Sequence, residues 1–135
     1  MDLLDSLKVS ASGLKAQATR LRTIAENLAN TNSTATTPGG DPYRRKISTF
    51  RAVLDRALGL TMVEPGKVAL DNSQFELRYD PANPAADNKG YVKLPNVNSL
   101  IELADMREAE RSYDANLKVI EASRSMLQRA LDILR

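Results

Sequence analysis

The chain has 135 residues, of which 19 are basic and 17 acidic, and it contains no cysteine, histidine or tryptophan. These absences exclude disulfides, thiolate and imidazole catalysis, and the usual structural zinc sites. A formal net charge of +2 is too small to predict a nucleic-acid partner. The sequence contains no run of 18 apolar residues that would predict a transmembrane helix, so membrane insertion is not expected.

Residues 3–30 carry the pattern of a long helix. Apolar side chains alternate in steps of three and four, which is typical of a helix that packs along its whole length against another helix. The heptad positions are Leu4, Leu7, Ala11, Leu14, Ala18, Leu21, Ala25 and Leu28. Ile24 widens this stripe, while Gly13, which costs about 1 kcal/mol relative to alanine inside a helix, indicates a close crossing or a bend. Charges from Asp2 to Lys15 interrupt the start of the chain, so a cleaved signal peptide is not predicted.

The segment from 31 to 96 is predicted to form loops and short elements. Residues 31–42, rich in hydroxyls, proline and glycine, predict a loop, and residues 43–50 an extended segment. Apolar residues from Phe50 to Leu58 have helical spacing, which predicts a short helix ended by Gly59.

Further along this segment, two strand predictions are made. Pro65-Gly66 is a turn dipeptide, so residues 61–64 and 67–70 are predicted to pair as a small hairpin. The alternation from Phe75 to Tyr79 predicts a third strand, and residues 80–90 predict a second loop.

Residues 97–134 predict a second long helix. Pro95 excludes an earlier start, and Ser99 with Glu102 matches a capping box. Its apolar stripe contains Leu103, Met106, Tyr113, Leu117, Ile120, Leu127, Leu131 and Leu134, widened by Ala109, Ser123 and Ala130. Asn116 and Arg124 interrupt the stripe, and a polar residue in such a seam often fixes helix pairing at some cost in stability.

The predicted fold is mainly α with a small β and loop insert. Long N- and C-terminal helices pair as a coiled-coil-like bundle, and a small middle domain of short strands lies between them, which divides the chain into 1–30, 31–96 and 97–135. As a monomer, such a helix pair leaves half of each apolar stripe in water. Exposed apolar stripes mark association surfaces, so a chain that completes its core with copies of itself or a partner is favoured.

Motifs that carry chemistry are few. The sequence has no GxGxxG, Walker loop or EF-hand pattern. Asp80 and Asp87 could bind a hard cation, but turn and capping roles are favoured. The basic run at 44–46 could contact phosphate, but a solvated or subunit-facing patch is favoured. Neither a catalytic site nor a cofactor is therefore predicted.

Four sequence blocks, in order, resemble the bacterial flagellar rod and hook protein family. Ser12 to Gln17 and Ile24 to Asn32 are similar to the family's N-terminal signature. The two middle blocks carry Tyr43, Arg44, Arg45 and Lys46, then Asp80, Pro81, Gly90 and Tyr91. The C-terminal block includes Met106, Tyr113, Asn116, Leu117 and Ile120. The resemblance extends from about residue 3 to residue 134, and the block from Tyr43 to Lys46 narrows it to a proximal rod protein.

This resemblance implies a non-catalytic axial subunit that polymerises through its terminal helices into the helical drive-shaft tube of the basal body. The implied partners are other rod subunits, copies of itself and, during secretion, the flagellar export apparatus. The implied location is the periplasm-spanning rod, reached without a cleaved signal peptide. The predicted assembly interface contains Leu4, Leu7, Leu14, Leu21, Ile24, Leu28, Met106, Tyr113, Asn116, Leu117, Ile120, Leu127 and Leu131. Leu7, Leu14, Leu21 and Leu28 are predicted to face Met106, Tyr113, Ile120 and Leu127, within or between subunits.

Two other classes of function stay open at this point. One is a soluble helical adaptor or chaperone-like protein-binding module that forms a discrete oligomer. The other, a remote alternative, is a carboxylate-dependent enzyme. A free monomer with mobile termini would support the rod subunit, and a rigid cooperative dimer would support the adaptor.

Overall fold

A computed structural model describes residues 2–134 of the chain. Two long helices, α1 (Leu3–Ala29) and α2 (Ser99–Ile133), flank six short strands in the sequence. The strands are β1 (Lys46–Ile47), β2 (Phe50–Asp55), β3 (Leu60–Pro65), β4 (Ala69–Leu70), β5 (Glu76–Tyr79) and β6 (Tyr91–Leu94). They form three antiparallel pairs, β1 with β4, β2 with β3 and β5 with β6. The predicted fold class is therefore confirmed.

The described chain divides into two compact units. Unit 1 contains residues 2–21, 48–67 and 107–134, and unit 2 contains residues 22–47 and 68–106. The three-part division made from the sequence stays a prediction. None of the helices within residues 2–134 is both long and apolar enough to span a membrane.

The N-terminus of α2 is capped by a residue that the capping-box prediction did not use. Asn98 Oδ1 accepts hydrogen bonds from the backbone N–H groups of Leu100 at 3.0 Å and Ile101 at 3.4 Å. Ser99 is already the first helical residue. Glu102 is fully buried, and its carboxylate accepts from Arg45 and Asn27. The predicted box was wrong because Asn98 satisfies the first free N–H groups of the helix.

Residues 50–58 form a strand and a turn, so the predicted short helix was wrong. β2 pairs with β3, with Phe50 opposite Pro65 and Asp55 opposite Leu60. Asp55 Oδ1 accepts from the N–H groups of Ala57 at 2.9 Å and Leu58 at 3.2 Å, which closes the turn. Gly59 completes the turn with a φ of 66°.

The chain around Pro65-Gly66 returns beside Thr49, so the hairpin predicted there was also wrong. The Gly66 N–H donates to the Thr49 carbonyl at 2.7 Å, and the Thr49 hydroxyl donates to the Lys67 carbonyl at 2.7 Å. A Cβ atom at residue 66 would collide with the Thr49 hydroxyl. A glycine was therefore required by close approach, and the turn signal at 65–66 did not mark a hairpin.

The third predicted strand is confirmed as β5, and the loop after it is confirmed at residues 80–90. Its partner β6 was not predicted. Val92 in β6 is fully buried and lies opposite Arg78. Tyr91 lies opposite Tyr79, and their rings meet edge to face with centroids 5.4 Å apart.

Within unit 1, α1 and α2 pack antiparallel at close range. A Cβ atom at Gly13 would lie 3.0 Å from the amide atoms of Asn116. Arg20, seven residues later on α1, forms an ion pair with Glu108, eight residues earlier on α2, at 3.6 Å. The close crossing predicted at Gly13 is confirmed, because a Cβ atom there would already press against the Asn116 side chain.

Candidate assembly surface

The two helices of unit 1 have one side that the β2–β3 hairpin leaves open. Gly13 and Asn116 face each other. Successive residues of a helix are rotated by about 100° around its axis, so Leu14 and Leu117 each lie about 100° from this contact. Because the helices are antiparallel, these two flanks are on the same side of the pair. Ser12 lies on the opposite flank of α1, where its hydroxyl accepts a hydrogen bond from Val63 N–H of β3 at 3.2 Å. The β2–β3 hairpin therefore lies on the Ser12 side, and the Leu14 side is the open one.

We call this open side the leucine groove. Its members are Leu7, Leu14 and Leu21 of α1, and Tyr113, Leu117, Ile120, Leu127 and Leu131 of α2. Leu117 and Leu131 are 38% and 59% exposed, and the other six are half-buried. All eight were in the predicted interface, and the helical turn of about 100° per residue places them on the same side of their helices. Helix–helix packing thus covers only part of their apolar surface.

The other predicted interface residues lie elsewhere. Leu4 is 53% exposed, and Ile24 is 5% exposed within unit 2. Leu28 and Met106 are half-buried in unit 2. Asn116 lies in the helix contact itself, and its Nδ2 donates to the Ser112 carbonyl at 3.0 Å.

The residues that face each other between the helices of unit 1 are small or polar. Ala16 of α1 and Ala109 and Ser123 of α2 are buried there, alongside the Gly13–Asn116 contact. Ala109, Asn116 and Ser123 are seven residues apart, so this spacing was the signal available in the sequence. The leucine row lies beside this contact rather than at its centre.

A second exposed apolar row on α2 was missed by the sequence analysis. We call it the outer row, and its members are Ala115, Val119, Ala122, Met126 and Ile133. Val119, Met126 and Ile133 are 42%, 57% and 84% exposed. Counted from Asn116, Val119 and Met126 lie about 60° and 80° round the helix, on the flank opposite Leu117. The seven-residue spacing of these three was the signal that could have found them.

Unit 2 contains a buried polar network centred on Glu102, which is fully buried. Arg45 Nε donates to one carboxylate oxygen of Glu102, and Asn27 Nδ2 donates to the other at 3.1 Å. The Arg45 guanidinium also lies 3.5 Å from Asp71 and 3.6 Å from Asp105. A solvated or subunit-facing patch was expected at residues 44–46, and this is wrong for Arg45, since its charge is balanced inside the unit.

Asn27 fastens residues 43–46 to the end of α1. Its Oδ1 accepts from the Lys46 N–H at 2.9 Å and the Tyr43 hydroxyl at 2.8 Å, while Nδ2 donates to the Lys46 carbonyl at 2.8 Å. Asn27 is 1% exposed, so each of these bonds is protected from water. The Tyr43, Arg45 and Lys46 signature therefore positions this segment within the subunit.

The surroundings of Arg45 and Lys46 favour the charged form of both side chains. Burial acts to lower the pKa of Arg45, but the hydrogen bond and the charge of Glu102 outweigh it, and the pKa is raised. The Glu26 carboxylate, 2.9 Å from Lys46 Nζ, raises the pKa of Lys46. Burial raises the pKa of Tyr43, so its phenol remains a neutral donor to Asn27.

The rest of the middle signature shapes loops of unit 2. Arg44 stacks on the Phe75 ring at 4.3 Å and donates to the Asp71 carbonyl at 2.9 Å. In the 80–90 loop, the Asp80 N–H donates to the Gly90 carbonyl at 2.9 Å. Asp87 Oδ1 accepts from the N–H groups of Lys89 at 2.8 Å and Tyr91 at 3.0 Å. These bonds confirm the turn and capping role expected of the loop; Pro81 lies within it and is exposed.

The chain is similar to flagellar rod proteins along its whole length. Residues 7–35 match the family described as Flagella basal body rod protein, and residues 88–133 match Flagellar basal body rod FlgEFG protein C-terminal. Flagellar basal-body rod protein FlgC of Agrobacterium fabrum is 54% identical over 95% of this chain and 92% of its own length. The FlgC proteins of Borreliella burgdorferi and Salmonella typhimurium are 40% and 39% identical, over 100% and 98% of this chain and 99% and 98% of theirs.

Proposed function

The chain belongs to the FlgC family of flagellar basal-body rod proteins, and on that premise we propose that the leucine groove is the surface through which it packs against neighbouring rod subunits. As a member of this family it is a structural subunit of the flagellar basal-body rod, which serves motility. The observation that carries the proposal is the half-exposed row of leucines beside a helix contact made of small and polar residues.

The energetic argument concerns the apolar surface that remains in water. Fully burying a leucine or isoleucine side chain contributes roughly 1.5–3 kcal/mol. In the single chain, the eight groove residues realise only part of this, because all of them remain half-buried or exposed. A helix from a neighbouring subunit laid along the groove would cover the remainder, and contacts of this kind between helices use the same seven-residue spacing.

Export and chemistry complete the proposal. The subunit is non-catalytic and leaves the cytoplasm through the flagellar export apparatus. Family membership supports this route. The lack of cysteine is compatible with it, since a chain without thiols cannot form disulfides on the way.

Charge substitutions in the groove test the proposal in cells. Leu21→Asp and Ile120→Asp place a carboxylate in the groove and should abolish rod assembly and swimming. Lys118→Asp is the matched control, because Lys118 is exposed on α2 and points away from the groove. A deletion strain complemented with each variant is scored for swimming and for rods in purified basal bodies. Normal swimming with either groove variant would contradict the proposal.

A discrete adaptor oligomer makes a different prediction for the same variants. Purified parent protein would form a dimer of fixed size, and Leu21→Asp would convert it into a monomer while basal bodies kept their rods. Size-exclusion chromatography with light scattering, run beside the motility assay, separates the two functions.

A further inference from the structure

We infer that the outer row of α2 is the surface that fills the leucine groove of a second copy of this chain. The inference rests on the proposed function, in which the groove binds a neighbouring subunit. It adds which surface of that neighbour binds there. Both surfaces belong to unit 1, and each keeps exposed apolar surface there. The outer row lies on the same side of the helix pair as the β2–β3 hairpin, but Val119, Met126 and Ile133 remain exposed.

The chemistry of the outer row suits an apolar groove. Val119, Met126 and Ile133 are exposed, and the positions between them on the same flank include Ala115 and Ala122. The face of α2 that points away from α1 instead alternates charges, with Arg107, Glu110, Arg111, Asp114 and Lys118 all exposed. A solvated helix face needs charges of this kind. The apolar flank departs from that pattern and is complementary to the groove.

The spacing of the two surfaces also matches. Val119, Met126 and Ile133 repeat every seven residues, as do Leu7, Leu14 and Leu21. Each set spans fourteen residues, about 21 Å of helix. Side chains with this common period can interlock along the whole length of the contact.

The placement of the two surfaces favours a growing assembly. The groove and the outer row lie on opposite flanks of α2, so a contact between them uses a different surface on each copy. Such a heterologous contact leaves one free groove and one free row at the ends, and if it does not close into a ring it propagates as a helix. A groove-to-groove contact would instead close a dimer and stop growth.

The first test compares two exposed positions on α2. Met126→Glu should abolish swimming and rod assembly, whereas Ser125→Glu, on the exposed face of α2 that points away from α1, should swim like the parent. Met126 is 57% exposed, so both purified variants should keep the parental circular dichroism spectrum. If the Met126→Glu strain swims while the Leu21→Asp strain does not, the outer row is not what fills the groove, but the groove is still an assembly surface. If both strains swim, the proposed function fails as well.

The second test identifies the partner by cross-linking. The chain has no cysteine, so a thiol introduced on each of two differently tagged, co-expressed copies can pair only by design. Leu14→Cys on one copy and Met126→Cys on the other should give, in oxidised basal bodies, a disulfide-linked dimer carrying both tags. Leu14→Cys with Gln128→Cys should give at least tenfold less. A product that joins Met126→Cys only to a different rod protein, or no product, overturns the assignment to a second copy.

Discussion

At the scale of single residues, the buried carboxylate of Glu102 joins α2 to Arg45 and to the end of α1 within unit 2. It receives hydrogen bonds from Arg45 and from Asn27, and Asn27 in turn fastens residues 43–46. A buried ion pair adds less stability than well-packed apolar groups of similar volume, but breaking one leaves an uncompensated charge. The network therefore makes the arrangement of unit 2 specific, since other arrangements would strand the charge.

Glu102→Gln should destabilise the protein by about 3 kcal/mol, near the lower end for breaking a buried pair, because Arg45 keeps Asp71 and Asp105 as partners. Glu64→Gln is the matched control. Glu64 also pairs with an arginine, Arg51, at 2.9 Å, but the Arg51 and Glu64 side chains are 67% and 48% exposed. The loss of unfolding free energy should therefore stay below about 1 kcal/mol. Urea unfolding followed by circular dichroism measures both. Equal losses for the two variants would contradict the role assigned to the network.

Gly13 and Asn116 should be energetically coupled. Gly13→Ala gains about 1 kcal/mol of helix propensity, but in the parent the new methyl group meets the Asn116 amide at 3.0 Å, which offsets the gain. In an Asn116→Ala background the methyl group has room, and the full gain should appear. A double-mutant cycle from thermal unfolding measures this coupling. The same gain in both backgrounds would show that the helices do not cross closely at this point.

At the scale of elements, the sequence predicted the structures that depend on local spacing, and it missed those that depend on contacts between distant residues. Both long helices follow from a hydrophobic period that each helix carries by itself. β2 was predicted as helix because the apolar residues from Phe50 to Leu58 also fit helical spacing, and only the pairing with β3 decides against it. The hairpin predicted at Pro65-Gly66 was wrong for the same reason, since the Gly66 N–H bonds to Thr49, a residue distant in sequence.

The turn of the β2–β3 hairpin should depend on backbone conformation at Gly59. Its φ of 66° is unfavourable for residues with a Cβ atom, and nothing lies within 4 Å of a Cβ placed there. Gly59→Ala should therefore cost about 1 kcal/mol through backbone strain alone. Gly59→Asn should cost less, because asparagine tolerates the left-handed region. Urea unfolding compares the two, and an alanine variant as stable as the parent would contradict the left-handed turn.

The 80–90 loop should lose stability in acid. Backbone N–H groups of Tyr91 and Lys89 hold the pKa of Asp87 below its usual value of 3.8. A depressed pKa means that the stabilisation is present above the unfolded-state value and is lost as the pH falls through the folded-state value. Between about pH 5 and pH 2, the parent should therefore lose more of its free energy of unfolding than Asp87→Asn, whose amide does not titrate. Parallel slopes for the two proteins would contradict this.

At the scale of the whole molecule, the sequence revealed the apolar rows of the two long helices more readily than the polar contacts within the subunit. The leucine rows were visible because a stripe that needs cover has the same period whether the cover is internal or external. The crossing at Gly13 was predicted, but its partner Asn116 and the network of Asn27, Arg45 and Glu102 could not be predicted in the same way. Their partners are distant in sequence, and polar residues carry no hydrophobic period to reveal them.

A subunit that completes its core through neighbours should be protected unevenly when free. Residues 128–133 of α2 are all exposed, so their amides should exchange hydrogen with near-zero opening free energy. Glu102 and Ala109 are both fully buried, so the packing around them should protect the amides of residues 102–109 from exchange. Hydrogen–deuterium exchange with mass spectrometry on the free subunit and on purified rods measures the difference, and residues 128–133 should gain protection on assembly. Uniform protection along α2 in the free chain would instead support the rigid oligomer expected of an adaptor.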